Sequence, residues 1–220
     1  PGADANEEER AQGEGEGEGE GEGEGAGDGG GGGGEGEGEG EPGPGEGDAE
    51  APCETSFQTL STTQVGGVLA ADTVWTLAGS PYEVTSTVFV PEGVQLMILP
   101  GVEVRSGVSE EFPLLFFVSG TVEAAGTVDA PIVFDGSCVA ALFAADEESS
   151  GPSYVTVSRA VVQNARSFWP AFGGIASFSL SDSRVENVSE VSYVWYPLAD
   201  VVIEHNVFVR AAGFSIGHAD

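Results

Sequence analysis

Apolar residues in the second half of the chain recur at a fixed step. Val155-Thr156-Val157 returns as Phe178-Ser179-Leu180 and again as Val201-Val202-Ile203, moving from position 157 to 180 to 203. Further columns keep the register: Ala160, Ser183 and Asn206, then Val162, Val185 and Phe208. One step earlier the same frame falls on Ile132 and Phe134. In Val155-Thr156-Val157 and Phe178-Ser179-Leu180 apolar and polar residues alternate with period two, which is the signature of a short half-buried strand. A repeat in the twenties with apolar positions held in column predicts a solenoid, in which one coil cannot bury its apolar row until a neighbour stacks on it. Parallel strands about 4.8 Å apart then bring equivalent residues into contact. The expected stacks are Ile132–Val155–Phe178–Val201 and Phe134–Val157–Leu180–Ile203.

Upstream the same alternation continues in shorter pieces. Val74 to Leu77, Thr87 to Val90, Val94 to Ile98 and Val102 to Val104 favour strands, and Gly79 to Tyr82, Pro91 to Gly93 and Pro100-Gly101 separate them as turns. Leu114 to Val118 is a five-residue apolar run suited to a buried strand. No window carries a helical period, so the fold class is all-β. Ala144 to Pro152, with Asp146, Glu147 and Glu148, breaks the spacing and reads as a polar loop. Trp75 and Tyr82 fall where an N-terminal cap is expected. Phe214 and Ile216 belong to a coil that stops at Asp220, with no cap after it, so the β-helix of residues 55–220 is expected to be truncated at its C-terminus.

The phrases in these upstream strands carry a resemblance. They are Val74-Trp75-Thr76-Leu77, then Val94-Gln95-Leu96-Met97-Ile98-Leu99-Pro100-Gly101-Val102, then Gly120-Thr121 and Ala125-Gly126-Thr127, then Pro131-Ile132-Val133-Phe134. Together they resemble the opening coils of exported bacterial right-handed parallel β-helix repeat proteins, the pectate-lyase-like superfold. Ile203-Glu204-His205-Asn206-Val207-Phe208 is similar to later coils of such proteins, where an inward asparagine forms a ladder at a bend. The resemblance covers about residues 65–217. It implies a right-handed parallel β-helix, a single-stranded solenoid with about 23 residues per coil. It points to no specific enzyme family, because this fold carries lyases, hydrolases, adhesins and inert scaffolds.

Residues 1–54 change the picture at the N-terminus. Positions 1–50 hold 21 of the 35 glycines and 18 of the 37 acidic residues, with Arg10 the one base. Gly and Glu alternate without a break from 13 to 25. Such a segment cannot bury enough apolar surface to offset its ordering entropy, so a disordered acidic spacer is expected. As a flexible coil it would span on the order of 40 Å. A spacer suits a domain held off a surface, as a lipoprotein anchor would hold it; a solubilising leader is the plainer reading. The export signal expected of an extracellular or cell-envelope protein would lie outside this chain.

Net charge is −31, acidic in both parts of the chain, which argues against nucleic acid and anionic membranes as partners. No stretch has the length of a membrane span. The two cysteines, Cys53 and Cys138, allow one disulfide, with free thiols as the alternative.

The repeat also sets up candidate chemistry. Arg159, Asp182 and His205 share one column, beside Ser158, Ser181 and Glu204. An aspartate next to a histidine can orient an imidazole for acid–base work. Asp182 with Glu204 offers oxygen ligands for Ca2+, as in lyases of similar fold. The plain alternative is a set of solvated turn residues that pair weakly. The pair Glu110-Glu111 and the trio Asp146-Glu147-Glu148 are carboxylate-dense loops; a glycosidase needs two carboxyls set across a sugar ring, and solvated loops are the plainer reading. Trp169, Phe172, Trp195 and Tyr196 would make a stacking platform for sugar rings if they were exposed, and corner packing if they were not. Asn187-Val188-Ser189 matches a glycosylation sequon. No nucleophile-elbow, phosphate-loop, dinucleotide or zinc-protease motif is present.

The expected function is a non-catalytic extracellular or surface-tethered β-helix module. It would be a monomer without a cofactor and would bind a surface polysaccharide or another cell-surface protein. The alternative is a polysaccharide lyase or glycoside hydrolase using Asp182, Glu204 and His205.

Overall fold

In the computed structural model, which describes residues 61–108, 113–145, 153–169, 175–195 and 201–217, the chain is a parallel β-solenoid of about six turns. Among the described residues seventeen strands, numbered in chain order, lie on three faces. The first face stacks β2 (Thr73–Trp75), β4 (Gln95–Ile98), β7 (Thr121–Ala125), β10 (Ser153–Ser158), β12 (Ile175–Ser181) and β15 (Val201–Glu204). The second stacks β5 (Glu103–Ser106), β8 (Ile132–Asp135), β11 (Ala160–Ala165), β13 (Arg184–Val188) and β16 (Val207–Ala211) on the first half of β3 (Tyr82–Val90). The third begins on the second half of β3 with β6 (Leu114–Val118) and β9 (Ala141–Ala145), and further along carries β14 (Ser192–Trp195) and β17 (Phe214–Gly217). At the start of the stack β1 (Thr63–Val68) pairs with β3 along both halves. The spacer expected over residues 1–54 lies outside the described residues.

Period-two alternation explains why most of these pieces are strands, since inward residues are apolar and their neighbours face outward, while β9 is buried at all five positions. On the first face Leu96, Val122, Val155, Phe178 and Val201 form one inward column. Ile98, Ala124, Val157, Leu180 and Ile203 form the next. On the second face the column runs Tyr82, Val104, Phe134, Val162, Val185, Phe208. Leu96, Val122, Val157 and Leu180 are completely buried, each contributing about 1.5–3 kcal/mol relative to exposure.

An aromatic string threads the interior between these columns. Trp75 and Tyr82 stack face to face at 4.6 Å near the first coil, where the sequence predicts a cap, and the Tyr82 hydroxyl accepts a hydrogen bond from the Thr76 amide at 3.0 Å. From Trp75 the ring contacts pass to Phe116, Phe143, Phe168, Phe178 and Phe214, with centroids 5.1–6.0 Å apart. Such contacts add to area burial at each step.

The predicted register holds for the last coils and fails for one. Val155 stacks on Phe178 and Val201, and Val157 on Leu180 and Ile203, as the 23-residue step requires. Ile132 and Phe134 do not lie beneath Val155 and Val157. They are on the second face, under Ala160 and Val162, while Val122 and Ala124 underlie Val155 and Val157. The reason is coil length. Val122 pairs with Val155 across 33 positions and Phe134 with Val162 across 28, so a frame extrapolated backwards by 23 lands on the wrong face. The polar insertion also starts later than expected, since Ala144 and Ala145 complete β9; residues 146–152 lie outside the described set.

Two glycines show why the opening coils need them. A side chain at Gly120 would strike the carbonyl oxygens of Pro91 and Val94 in the coil below. One at Gly126 would strike the carbonyl of Arg159 in the coil above. Backbone cannot yield there without opening the ladder. Gly120→Ala is therefore expected to destabilise the fold by about 1–3 kcal/mol, as overpacking does. A urea titration checks this; an unchanged midpoint would show that the coils can separate locally to admit a methyl group.

Candidate functional site

In three successive coils the chain turns from the first face to the second through one or two residues, the first of them left-handed. Arg159, Asp182 and His205 occupy that corner with φ of 47°, 49° and 54°, the left-handed region. One such residue reverses the inward–outward alternation, so β10 runs directly into β11 and the corner side chain is left outside. Coil stacking then aligns three corner side chains. Asp182 lies between the other two: Oδ2 is 3.6 Å from Arg159 Nη2, and Oδ1 is 3.7 Å from His205 Nδ1. The column predicted from the repeat is present.

Its chemistry is modest. The side chains of Arg159, Asp182 and His205 are 47%, 44% and 75% exposed, so water screens both pairs. The Asp182–His205 distance exceeds the 2.6–3.2 Å reach of an acid–base dyad. Glu204 is exposed beside them. Among the described residues no group of three His, Cys, Asp or Glu side chains converges to hold a metal ion.

Behind the corner, polar groups are organised more tightly. Ser183 Oγ accepts from the Ala160 amide at 3.0 Å and donates to the Ser181 carbonyl at 2.7 Å. The Ser183 amide donates to Asn206 Oδ1 at 2.9 Å, and Asn206 Nδ2 donates to the Leu180 carbonyl at 2.7 Å. This is the inward bend ladder that the resemblance implies at Asn206, with serine one coil below. It satisfies backbone groups that the sharp corner removes from the sheet ladder.

A second left-handed column was not singled out from the sequence. Asn164, Asn187 and Arg210 have φ of 49°, 53° and 48°. Arg210 Nε donates to Asn187 Oδ1 at 2.7 Å, Asn187 Nδ2 to Asn164 Oδ1 at 3.0 Å, and Asn164 Nδ2 to Asp135 Oδ2 at 3.3 Å. Every donor points the same way along the axis, from a cation at one end to a carboxylate at the other. The signal was available: two asparagines 23 apart, a residue type that tolerates this conformation. Asn187, the asparagine of the sequon, has its amide engaged within this ladder.

Of the candidate aromatic platform, Trp169 takes the corner-packing alternative. Trp169 is 1% exposed and packs against Phe143 and Phe178, so it fills the interior and presents no ring to a ligand. Phe168 beside it is completely buried. A three-faced solenoid must fill its centre with large side chains, and these residues do that. Trp195 lies on β14 in register with Gly217. Phe172, Tyr196, Glu110, Glu111, Asp146, Glu147, Glu148 and His218 lie outside the described residues. Cys138 is half-buried and disulfide-bonded, with no free cysteine among the described residues; Cys53 lies outside them.

The two layers of the corner should differ in energy. Asp182→Asn keeps the left-handed preference and removes the Arg159 ion pair and the carboxylate facing His205, and is expected to cost less than about 1 kcal/mol. Ser183→Ala leaves the buried Ala160 amide without its acceptor and is expected to cost about 1–3 kcal/mol. Parallel denaturant titrations of the two variants test the ranking; the reverse order would mean that the exposed pairs hold the corner. Comparison with protein-family models, with curated proteins and with solved structures finds no match to this chain.

Proposed function

We propose that this protein is a non-catalytic binding or structural module, presented outside the cell on its acidic Gly-Glu spacer. The observation that carries this reading is the way charge is used on the solenoid. Asp182 is shared between Arg159 and His205 on the flanking coils. Arg105 bonds Glu103 at 2.5 Å, Arg184 bonds Glu186 at 2.7 Å and Arg166 bonds Glu190 at 2.8 Å. The Glu103 bond pushes the Arg105 guanidinium above its ordinary value. Among the described residues charged side chains pair with one another, Arg159–Asp182–His205 and Arg166–Glu190 from coil to coil and Arg105–Glu103 and Arg184–Glu186 within one strand, and do not converge on a reacting centre. The Cys138 disulfide supports an oxidising compartment.

A lyase or hydrolase centred on Asp182, Glu204 and His205 would draw on the closeness of Asp182 and His205. Incubating the full chain with neutral and acidic polysaccharides is expected to release neither unsaturated products nor new reducing ends. Release that Asp182→Ala abolishes would replace the module reading with the enzyme. The compartment is tested separately by peptide mapping without reduction. Cys53 and Cys138 are expected in one cross-linked peptide, and their recovery as free thiols would withdraw that support.

A further inference from the structure

Two adjacent faces of the solenoid differ sharply in their outward chemistry. On the second face the outward column reads Glu83, Arg105, Asp135, Gln163, Glu186, a charged row whose members bond to one another and to their neighbours. On the first face β10 and β12 are different. Their outward residues are Tyr154, Thr156 and Ser158 on one strand and Ser177, Ser179 and Ser181 on the next, in register rung by rung. Every one carries a hydroxyl and none carries a charge. The preceding strand adds Thr121, paired with Tyr154. Tyr154 is 42% exposed, Thr156 is exposed, and Ser158, Ser179 and Ser181 are half-buried.

We propose that this hydroxyl face of β10 and β12 is the binding surface of the module, and that its ligand is a neutral polysaccharide lying across the strands. The inference rests on the module reading above and names the ligand class. A hydroxyl both donates and accepts, so a field of them suits a ligand that is itself a field of hydroxyls. Rungs about 4.8 Å apart and outward positions about 6.6 Å apart along each strand set these groups on a regular grid, which matches a polymer better than a single small molecule. The exposed Tyr154 ring adds an apolar surface against which a sugar can stack. Charge chooses between glycan classes. Glu123 lies opposite Thr156 on one side of the patch, Glu204 lies opposite Ser181 on the other, and the whole chain carries −31. A polyanion would meet repulsion from both flanks, whereas a neutral chain meets none.

The test is affinity electrophoresis of the full chain through gels containing a soluble neutral β-glucan or polygalacturonate. Retardation is expected in the neutral gel only. The double variant T156V/S179V keeps strand-favouring residues and removes two hydroxyls, and is expected to weaken retention about tenfold, the loss expected for two hydrogen bonds. Arg184→Ala on the second face is expected to leave retention unchanged. Circular dichroism of each variant confirms that the solenoid is intact. If T156V/S179V folds and binds as tightly as the parent, the face is wrong although the module reading stands. Retention by polygalacturonate in preference to the glucan overturns the ligand class. No retention in either gel, with thermal hysteresis on freezing, overturns the glycan in favour of ordered water on the same grid. Shortening of the glucan during the run overturns the non-catalytic reading itself.

Discussion

The structure depends on parallel in-register stacking. An inward residue of one coil is shielded only by its equivalents above and below, because a coil encloses no core of its own. The exposure pattern shows this within single columns. Val185 is 1% exposed and Val194 is completely buried, whereas Phe208 and Ile216, their counterparts on the last described coil, are 40% and 54% exposed. The same kind of side chain at the same place in a coil is core or surface according to whether a neighbour covers it. Backbone hydrogen bonds obey the same condition, since each strand's ladder partners belong to other coils.

Stacking in turn requires that each coil turn its corners at equivalent places. Single left-handed residues achieve this at Arg159, Asp182 and His205, and again at Asn164, Asn187 and Arg210. Neither conformation nor charge is comfortable there alone: a left-handed non-glycine residue costs roughly 1–2 kcal/mol. The strain is offset where the corner side chains and the Ser183–Asn206 ladder bond to the next coil. Coil-to-coil contacts therefore engage Arg159, Asp182, Ser183, His205 and Asn206.

What remains outward is divided by face. Charges gather and pair on the second face, and hydroxyls gather on β10 and β12 of the first. A periodic surface of this kind follows directly from the repeat, because any residue type kept at one position in successive coils becomes a row. A solenoid thus presents extended, regular surfaces more naturally than pockets, which is consistent with a polymeric ligand and a scaffold role.

The repeat from Val155 to Phe208 was legible in sequence because three successive coils keep one length, so spacing converts directly into contact. It placed Val157 on Leu180 on Ile203 and put Arg159, Asp182 and His205 in one column, and the coils bear both out. Sequence also determined the all-β class, since period-two alternation and turn residues are local properties. The tertiary structure decided three further matters. It assigned Ile132 and Phe134 to a different face, because corner lengths vary and only strand pairing counts them. It put Trp169 in the interior, because an aromatic residue reads alike in sequence whether it points in or out, and burial depends on neighbours distant along the chain. It joined Asp135, Asn164, Asn187 and Arg210 into one ladder, because side-chain hydrogen bonds need the coils to be stacked before donor can meet acceptor.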